Sequence, residues 1–445
     1  NKIANFVAEL LIYRFCVMIR CFSVKNYLSI SDRQELDFTA KGPSSALVSE
    51  VADGVFLYKL GILYGANASG KSNMLLAMND VFRILVQPKN DATQAISCYI
   101  PFSLTADEPT EMAVSFYVGK VRYDYAVIYN RSSILKEELY YYPKGNKSLF
   151  YERTFVGDGV QAEVKFGASL RLQVKTQDSI RENTLNNHSV LSVCIKNTFK
   201  EDIKPFTALH SYLMTRFHDV DGTADGAKGI VEIMKEAYSD KTKRRFFEQM
   251  LEKADLNIVG FRPVVEDRIV PVAYREHIKN ESIPDNIKEE LLKPTVESIV
   301  FEHKTDSTTF DVPLKMQSRG TQKYIRILNT LYDLISSNHV YYLDELGEDL
   351  HYDLLFYYLS VFLFNSENSQ LIITSQETAL LSQDLINENR GAVWFVEKNH
   401  NTASSEYSRG DSFGLHKNLS LYNSYKSGRL GAKPELGSMF IDLED

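Results

Sequence analysis

The chain has 445 residues, of which 44% are hydrophobic and 12% aromatic, so it can bury one large core or several smaller ones. Its formal net charge of -8 excludes a surface that binds nucleic acid through many clustered Lys and Arg side chains. Four cysteines without metal-ligand spacing exclude a cysteine metal site, and no apolar run is long enough to cross a bilayer. We therefore expect a globular cytoplasmic protein.

The first seventeen residues precede Met18 and lack the charged start and small-residue cleavage site of a signal peptide. We expect residues 1–17 to be an extension before the natural start, without a part in function. Residues 19–38 alternate apolar and polar side chains in short runs, which predicts strands of a half-buried sheet. Residues 60–64 form another apolar strand, and helical spacing of apolar residues follows from Met74 to Leu85.

Between that strand and helix lies a glycine-bounded stretch that fits GxxxxGK[ST] in full. In such a loop, backbone N–H groups turn toward phosphates, the Lys reaches the β and γ oxygens, and the final hydroxyl is a ligand for Mg²⁺. The pattern predicts binding of ATP and Mg²⁺, with Ser72 as a metal ligand. The residues predicted to contact the nucleotide here are Gly65, Asn67, Ala68, Ser69, Gly70, Lys71, Ser72 and Asn73.

The middle of the chain changes its pattern twice. Residues 113–118, 123–129 and 139–142 read as strands joined by polar turns, which predicts an antiparallel sheet beside the nucleotide core. Residues 177–255 are charged and helical in spacing, without the sustained heptads of a coiled-coil arm. Residues 266–307 are charged and contain two prolines, so we interpret them as a variable, partly exposed segment.

From residue 338 onward, strands alternate with helices, which predicts a parallel sheet with crossover helices. We expect strands at 339–343, 370–374 and 392–397, and helices at 350–364 and 378–385. The first of these strands ends in Asp344 and Glu345. In P-loop enzymes, an acid at that place holds the magnesium through water, and a following Glu polarises the attacking water. We predict Asp344 as the metal-site acid and Glu345 as the general base.

For two further features, we prefer a structural interpretation to a functional one. The basic run Lys241, Lys243, Arg244 and Arg245 could contact nucleic acid, but a charge run before an apolar helix is usually its solvated face. Asp349 and Asp353 fit the start of a helix better than a nuclease metal site, because acids favour that end of the helix dipole. The histidines form no HxxxH or HExxH pattern, so we expect no catalytic zinc.

With these residues placed, the chain resembles the ABC/SMC-like ATPase heads. Within them it is most similar to the overcoming-lysogenisation-like and abortive-infection ATPases of bacterial phage defence. The resemblance covers roughly the first 150 and the last 140 residues. The segments that carry it are the opening element Asn26-Tyr27-Leu28-Ser29-Ile30, the signature-like Gln317-Ser318-Arg319-Gly320-Thr321-Gln322, the stretch from Asp344 to His351, and residues 394–398 and 425–434.

The resemblance implies a mechanism that the residues alone do not. Two heads pair face to face, and each ATP lies between the P-loop of one head and the signature of the other. Ser318 and Gly320 would then contact the γ-phosphate in trans, at the N-terminus of a helix that attracts anions. We therefore expect a homodimer or higher homo-oligomer, and the family also implies a separate nuclease-type effector as partner.

The chain departs from the family pattern at two positions. The basic residue of the opening element is Leu28 here, so one phosphate-neutralising charge is missing. The switch residue after the strand at 370–374, commonly His, is Gln376, which hydrogen-bonds but carries no proton at neutral pH. We predict Gln376 as a catalytic-site residue and slow hydrolysis as the consequence. Gln94 is the candidate for the Q-loop.

These observations together predict an α/β fold of the ABC/SMC-head type with a mixed central sheet, an antiparallel side sheet and an inserted helical region. The expected lobes are residues 18–155 and 308–445, with residues 156–307 inserted. We expect an ATPase that acts as a nucleotide-gated regulator in phage defence. The alternatives are an SMC-like ATPase of DNA repair or recombination and a scaffold that binds ATP without hydrolysing it.

Overall fold

The structure is a computed structural model, and it describes residues 17–43, 45–89, 91–155, 162–196, 203–218, 227–254, 256–416, 419–434 and 439. Residues 1–16 of the expected N-terminal extension lie outside the described part. Val17 is the first residue of a strand, is fully buried and pairs with Val118. No helix of the described ranges is long and apolar enough to cross a membrane.

The strands cover both halves of the chain. In chain order they are β1 (Val17–Lys25), β2 (Gln34–Asp37), β3 (Val48–Ala52), β4 (Val55–Tyr58), β5 (Leu60–Gly65), β6 (Thr110–Val118), β7 (Val121–Tyr129), β8 (Ile134–Tyr142), β9 (Ser148–Phe155), β10 (Ala162–Phe166), β11 (Ile258–Asp267), β12 (Thr295–Lys304), β13 (Thr309–Pro313), β14 (Val340–Leu343), β15 (Gln370–Ser375), β16 (Val393–Lys398) and β17 (Ser405–Arg409).

The α-helices lie mostly in the middle and last thirds. In chain order they are α1 (Lys71–Val86), α2 (Val174–Asn183), α3 (Val190–Lys196), α4 (Lys204–Arg216), α5 (Ala227–Ser239), α6 (Lys241–Lys253), α7 (Val272–Asn280), α8 (Asp285–Leu292), α9 (Arg319–Ser336), α10 (Tyr352–Asn365), α11 (Asp384–Glu388) and α12 (Leu421–Lys426).

The elements divide into two compact units. The first unit comprises Asn1–Gly222, Asp333–Glu348 and Leu355–Asp445, and the second comprises Thr223–Tyr332 and Asp349–Leu354. Residues 162–218 therefore pack with the first unit, although they follow the predicted end of the N-terminal lobe. The domain boundaries expected at residues 156 and 308 stay a prediction.

The central sheet of the first unit has the strand order β14-β15-β5-β16-β17. The first four strands are parallel, and β17 pairs antiparallel with β16. β5 and β15 are buried along their whole length, as expected for strands covered on both faces. The predicted mixed central sheet is confirmed.

The predicted antiparallel side sheet is also confirmed, and it is larger than expected. Its strand order is β10-β9-β8-β7-β6-β1-β2. Alternate side chains of β7 point into the core, where they meet α1, α3 and α4 in one hydrophobic cluster. These inward-facing residues of β7 are Tyr123, Tyr125, Val127 and Tyr129.

A buried carboxylate holds α3 against this sheet. Glu137 on β8 has no exposed surface, and one of its oxygens accepts hydrogen bonds from three hydroxyl groups at 2.6 to 3.1 Å. Its other oxygen accepts from the backbone N–H of Val190, the first residue of α3, at 3.2 Å. Negative charge at a helix N-terminus is favourable, so the contact stabilises both the carboxylate and the helix. The three hydroxyl donors belong to Tyr125, Tyr151 and Ser189.

The second unit contains an antiparallel sheet, β11-β12-β13, with α5 and α6 beside β11. The interpretation of residues 266–307 as a partly exposed segment agrees with the structure, because most of the described side chains from residue 271 to 298 are exposed or half-buried. The segment also contains regular structure that the sequence did not predict, namely the end of β11, α7, α8 and β12. Its variability stays a prediction. Phe261, Ile299 and Phe301 are buried, and Phe247 of α6 contacts Phe261. The buried residues of β12 form one short run, Ile299–Phe301, between charged residues such as Glu302, which hid the strand pattern in the sequence.

The basic run at the start of α6 is largely used inside the second unit. Lys243 is 5% exposed and pairs with Glu236 at 2.7 Å, and Arg244 pairs with Glu248 at 2.8 Å. These contacts favour the interpretation as a helix face over that as a nucleic-acid patch.

The prediction of one helix at residues 378–385 is wrong. A 3-10 helix at Thr378–Ser382 is followed there by the short α11.

A pair of histidines lies at the amino end of β14. Nδ1 of His339 and Nε2 of His218 share a hydrogen bond at 2.6 Å. The guanidinium of Arg216 lies 3.1 Å from Nε2 of His339. His218 also stacks on Tyr341, with ring centroids 4.0 Å apart. Burial, together with the neighbouring His218 and the Arg216 guanidinium, lowers the pKa of His339 to about 3. The folded protein therefore keeps this imidazole neutral.

We expect the free energy of unfolding to fall by about 2 kcal/mol between pH 7.5 and pH 5 through His339 alone. The unfolded chain binds a proton there near pH 6.5, whereas the folded chain does so near pH 3, so stability is lost as the pH falls. Urea unfolding of wild type and His339→Gln at both pH values measures this difference. The matched control is His277→Gln on the exposed face of α7, which should keep the wild-type pH dependence. An equal pH dependence of His339→Gln and wild type would contradict this prediction.

Candidate nucleotide-binding site

The predicted phosphate loop and the predicted acids leave the central sheet at the same edge. β14, β15 and β5 are parallel neighbours, with Leu343 paired to Ile373 and Tyr64 paired to Ser375. Because all three strands point the same way, the chain segments that follow them meet at the carboxyl edge of the sheet. The structure thus brings together elements that lie about 270 residues apart in the sequence.

The loop after β5 has a backbone that requires its glycines. Gly70, directly before α1, has φ of 106°, and a Cβ atom there would lie 2.2 Å from the Ser405 hydroxyl. A Cβ on Gly65 would lie 2.3 Å from the carbonyl oxygen of Val396. Ala68 also has positive φ, at 61°. Such a turn directs backbone N–H groups into one concave surface, which is the geometry that binds anions.

Lys71 is the first residue of α1, and its side chain folds back over the loop. Its ammonium group donates hydrogen bonds to the carbonyl oxygens of Gly65 and Ala66, each at 2.9 Å. Burial lowers the pKa of Lys71, whereas the negative charges of Glu345 and Asp344 raise it. The strand register places the phosphate loop and the two acids at the same edge of the sheet, two strands apart.

The acids after β14 are held by a buried hydroxyl group of β15. Thr374 donates a short hydrogen bond to Oδ1 of Asp344 and accepts one from the backbone N–H of Glu345 at 2.8 Å. Glu345 has φ of 49°, an unfavourable value for this residue type that the surrounding contacts must maintain. Gln376 donates to Oε1 of Glu345 at 2.9 Å, so the predicted switch residue contacts the predicted base.

We expect Thr374→Val to lower ATP turnover by about 10- to 100-fold and to raise the Mg²⁺ concentration that is required. Valine fills the same fully buried space but cannot orient the Asp344 carboxylate or accept from Glu345. Turnover measured against Mg²⁺ concentration tests this, with Thr374→Ser as the control that keeps the hydroxyl. Equal activity of Thr374→Val and wild type at low Mg²⁺ would contradict the role given to Thr374.

The donor set fits a magnesium–nucleotide complex. The Ser69 hydroxyl is buried and has no hydrogen-bond partner in the part of the chain that the structure describes. Ser72 is half-buried in the first turn of α1, where its hydroxyl could hold a hard cation together with Asp344. No group of three or more His, Cys, Asp and Glu side chains suited to a metal occurs within the described ranges.

The remaining predicted residues of the P-loop differ in exposure. Asn67 and Ala68 are exposed at the tip of the loop. The side chain of Asn73 makes a contact within the protein, because its amide donates to the Ser29 hydroxyl at 2.7 Å. Leu28 has φ of 49° and its N–H donates to the carbonyl of Ile100.

The signature-like residues belong to the second unit. Ser318 is exposed and accepts a hydrogen bond from the N–H of Thr321 at 3.0 Å, which makes it a side-chain cap for the start of α9. Gly320 approaches the carbonyl oxygen of Asp349, where a Cβ would lie at 2.7 Å. The Q-loop candidate Gln94 is exposed in a turn, and its carbonyl accepts from Asn187 at 2.7 Å.

Two cavities in the first unit differ in their relation to these residues. A shallow cavity of about 300 Å³ lies beside the acids and is lined by Glu345, Gly347, Glu348, Gln376 and Glu377. A larger one, of about 790 Å³, lies near the amino ends of β5 and β16 and contains none of the predicted site residues. The smaller cavity is the relevant one, because the phosphate loop and the acids define the chemistry of the site.

Four residues of the site were not predicted from the sequence. Thr374 contacts both acids, and Ser29, Ser405 and Tyr407 contact the phosphate loop or its neighbours. Ser29 belongs to the opening element of residues 26–30, which carries part of the family resemblance, so the sequence offered a weak signal for its role. The other three carry no local pattern that distinguishes them from ordinary strand residues.

A sequence profile matches residues 62–382, which is more than two thirds of the chain. No curated protein sequence matches significantly. Structural similarity extends to the SMC head domain from Thermotoga maritima, with 12% identity, 88% of this chain and 98% of that chain covered, and a TM-score of 0.36.

Two further solved structures are similar at the same level. One is an SmcHead bound to the C-winged helix domain of ScpA, with 14% identity, coverage of 91% and 99%, and a TM-score of 0.43. The other is an Smc head domain with an extended coiled coil bound to the C-terminal domain of ScpA, derived from Pyrococcus furiosus. Its identity is 12%, its coverage 93% and 99%, and its TM-score 0.37. The family assignment depends on the profile, and by that match the chain belongs to the family described as "AAA domain, putative AbiEii toxin, Type IV TA system".

Proposed function

We propose that this chain is a P-loop ATPase that binds Mg-ATP at the loop of residues 65–72 and hydrolyses it slowly. The observation that carries the proposal is the shared sheet edge, at which the phosphate loop follows β5 and Asp344 and Glu345 follow β14. Phosphate-binding backbone, a cation for the phosphates and two acids for metal and water are the parts that ATP hydrolysis requires.

Each side chain has a distinct task in this proposal. Ser72 and Asp344 would hold the magnesium, which would supply positive charge for the β- and γ-phosphates. Lys71 exchanges its contacts with the carbonyls of Gly65 and Ala66 for phosphate oxygens. Glu345 accepts the proton of the attacking water, and Thr374 keeps Asp344 and Glu345 in position.

The contact between Gln376 and Glu345 supports slow turnover. The amide of Gln376 donates to Oε1 of Glu345, and this hydrogen bond stabilises the carboxylate without supplying or accepting a proton. A group at this position that cannot titrate can orient Glu345 or the γ-phosphate but cannot relay a proton. ATP occupancy would then act as a lasting state of the protein.

We extend the proposal to a dimer of heads. Ser318 and Gly320 lie at the exposed start of α9, where the first backbone N–H groups of a helix have no intrahelical acceptors. Such a start attracts anions, so the γ-phosphate of an ATP bound to a second copy is a fitting ligand. A homodimer or higher homo-oligomer would complete two sites at once.

At the cellular level, we propose an ATP-gated regulator of phage defence that controls a separate nuclease-type effector in the cytoplasm. The family description names a putative AbiEii toxin and a type IV toxin–antitoxin system, which supports a role in abortive infection. The similarity of residues 26–30 and 317–322 to the phage-defence ATPases supports the same role.

The test is phage challenge of cells that carry the gene with its neighbouring open reading frame. Lys71→Ala should abolish protection, whereas Lys120→Ala, an exposed lysine paired with Asp53, should retain it. Equal protection by Lys71→Ala and wild type would contradict the defence role. Purified wild type should hydrolyse ATP without stimulation by DNA, and strong stimulation by DNA ends would instead support a repair ATPase.

A further inference from the structure

Two side chains of β17 donate hydrogen bonds to the backbone of the phosphate loop. The Ser405 hydroxyl donates to the carbonyl oxygen of Ser69 at 2.6 Å, and the Tyr407 hydroxyl donates to that of Gly70 at 2.6 Å. Ser405 is 1% exposed and Tyr407 is 9% exposed. Both bonds are therefore shielded from competing water, which strengthens them.

A chain of hydroxyl groups continues from Ser405 to the first turn of α1. The Asn73 amide donates to the Ser29 hydroxyl at 2.7 Å, and the Ser29 and Ser405 hydroxyl oxygens are 2.7 Å apart. A hydroxyl has one proton, and that of Ser405 goes to the carbonyl of Ser69, so Ser29 donates to Ser405. The direction of every bond from Asn73 to the loop is thus determined.

The hydrogen bonds from Ser405 and Tyr407 help to set the direction of the N–H groups of the loop. In a planar trans peptide, the C=O and the N–H of the same unit point in opposite directions. Ser405 holds the carbonyl of Ser69, and Tyr407 adds a third donor to the carbonyl of Gly70, which also accepts from the N–H groups of Asn73 and Met74 within α1. The N–H groups of Gly70 and Lys71 therefore point away from these acceptor contacts. A Cβ atom at Gly70 would lie 2.2 Å from the Ser405 hydroxyl, so Ser405 packs directly against the loop at this glycine.

We propose that Ser405 and Tyr407 are positioning residues that preorganise the loop for the polyphosphate chain of the nucleotide. This inference rests on the proposed function, because it assigns a task to side chains that contact the loop and not the ligand. Both residues lie beyond the stretch of residues 62–382 that the family profile matches. Binding of phosphates to prearranged N–H groups avoids the cost of ordering the loop at the moment of binding.

The test compares binding of Mg-ATP and of inorganic tripolyphosphate by wild type, Tyr407→Phe and Ser405→Ala. Each variant loses one buried hydrogen bond to the loop. We expect Kd to rise about tenfold, and by the same factor for Mg-ATP and for tripolyphosphate. KM for ATP should rise more than kcat falls, because the oriented N–H groups bind ground state and transition state alike.

The matched control is Tyr129→Phe, which also removes a buried hydroxyl that donates to a backbone carbonyl, that of Cys98 at 3.2 Å. It should leave both Kd values unchanged. Ser29→Ala is a milder variant that removes the donor to Ser405 and should raise both Kd values about two- to threefold. It decides the question if Tyr407→Phe or Ser405→Ala does not fold.

The outcomes separate this inference from the proposed function. Wild type that binds neither ligand would overturn the proposed function. Wild type that binds ATP, with Kd values unchanged in folded Tyr407→Phe and Ser405→Ala, would overturn this inference alone. A loss of ATP binding without loss of tripolyphosphate binding would also overturn it, because the side chains would then act on the nucleoside.

Discussion

Glu345→Gln should lower ATP turnover by at least about a hundredfold while leaving Mg-ATP binding close to that of wild type. The substitution keeps the size of the side chain and its capacity to accept from Gln376 at Oε1, but removes the ability to take a proton from water. Lys71, Ser72 and Asp344 remain, so the nucleotide should still bind. Steady-state phosphate release and equilibrium ATP binding measure the two properties separately.

The matched control is Glu348→Gln, an exposed acid that lines the same cavity as Glu345 three residues further along. It should change turnover by less than about twofold, because it has no part in the proposed chemistry. Equal turnover by wild type and Glu345→Gln would mean that the chain does not use this base. Negligible turnover by both proteins, with ATP binding retained, would leave an ATP-binding scaffold as the better description.

Glu137→Ala should lower the free energy of unfolding by about 3 to 5 kcal/mol. Its carboxylate lies within the core and compensates Arg153, a buried cation whose pKa is lowered by burial and raised by the charge of Glu137. Removal of the carboxylate leaves that charge and several donors without their acceptor. The donors are Tyr125, Tyr151, Ser189 and the N–H of Val190.

Chemical denaturation of both proteins measures this loss, and Glu138→Ala is its control. Glu138 is the next residue on β8 but points to the opposite, partly exposed face, where it pairs with Lys136. Its removal should cost less than about 1 kcal/mol, as for surface ion pairs in general. A similar stability of Glu137→Ala and wild type would show that α3 is not held by this carboxylate.

The parts of the site that the sequence predicted are those in which the chemistry requires a contiguous pattern. The P-loop needs glycines at fixed spacing from Lys71, and the acids need an apolar strand directly before Asp344, so both could be recognised locally. Thr374 and Tyr407 could not, because a hydroxyl group acquires its role through a partner far away in the chain. Ser405, for instance, contacts Ser69 across 336 residues.

The fold shows the same division. Continuous apolar runs identified β5 and β14, and a run of mainly apolar residues between polar turns identified β7. β12 was missed because its buried residues are confined to the short run Ile299–Phe301 between Glu297 and Glu302, and the mean composition looked like that of an exposed segment. The size of the side sheet was also not predictable, because β9 and β10 are identified by their pairing and not by their composition.

The central claim is that a triphosphate and its metal lie between the loop of residues 65–72 and the acids after β14. A crystal structure with Mn²⁺ and a non-hydrolysable ATP analogue tests it directly through the anomalous signal of manganese. We predict a single manganese peak between the Ser72 hydroxyl and the Asp344 carboxylate, with the phosphates on the N–H groups of the loop. Nucleotide bound in the 790 Å³ cavity near Tyr58, or manganese away from Asp344, would contradict the account.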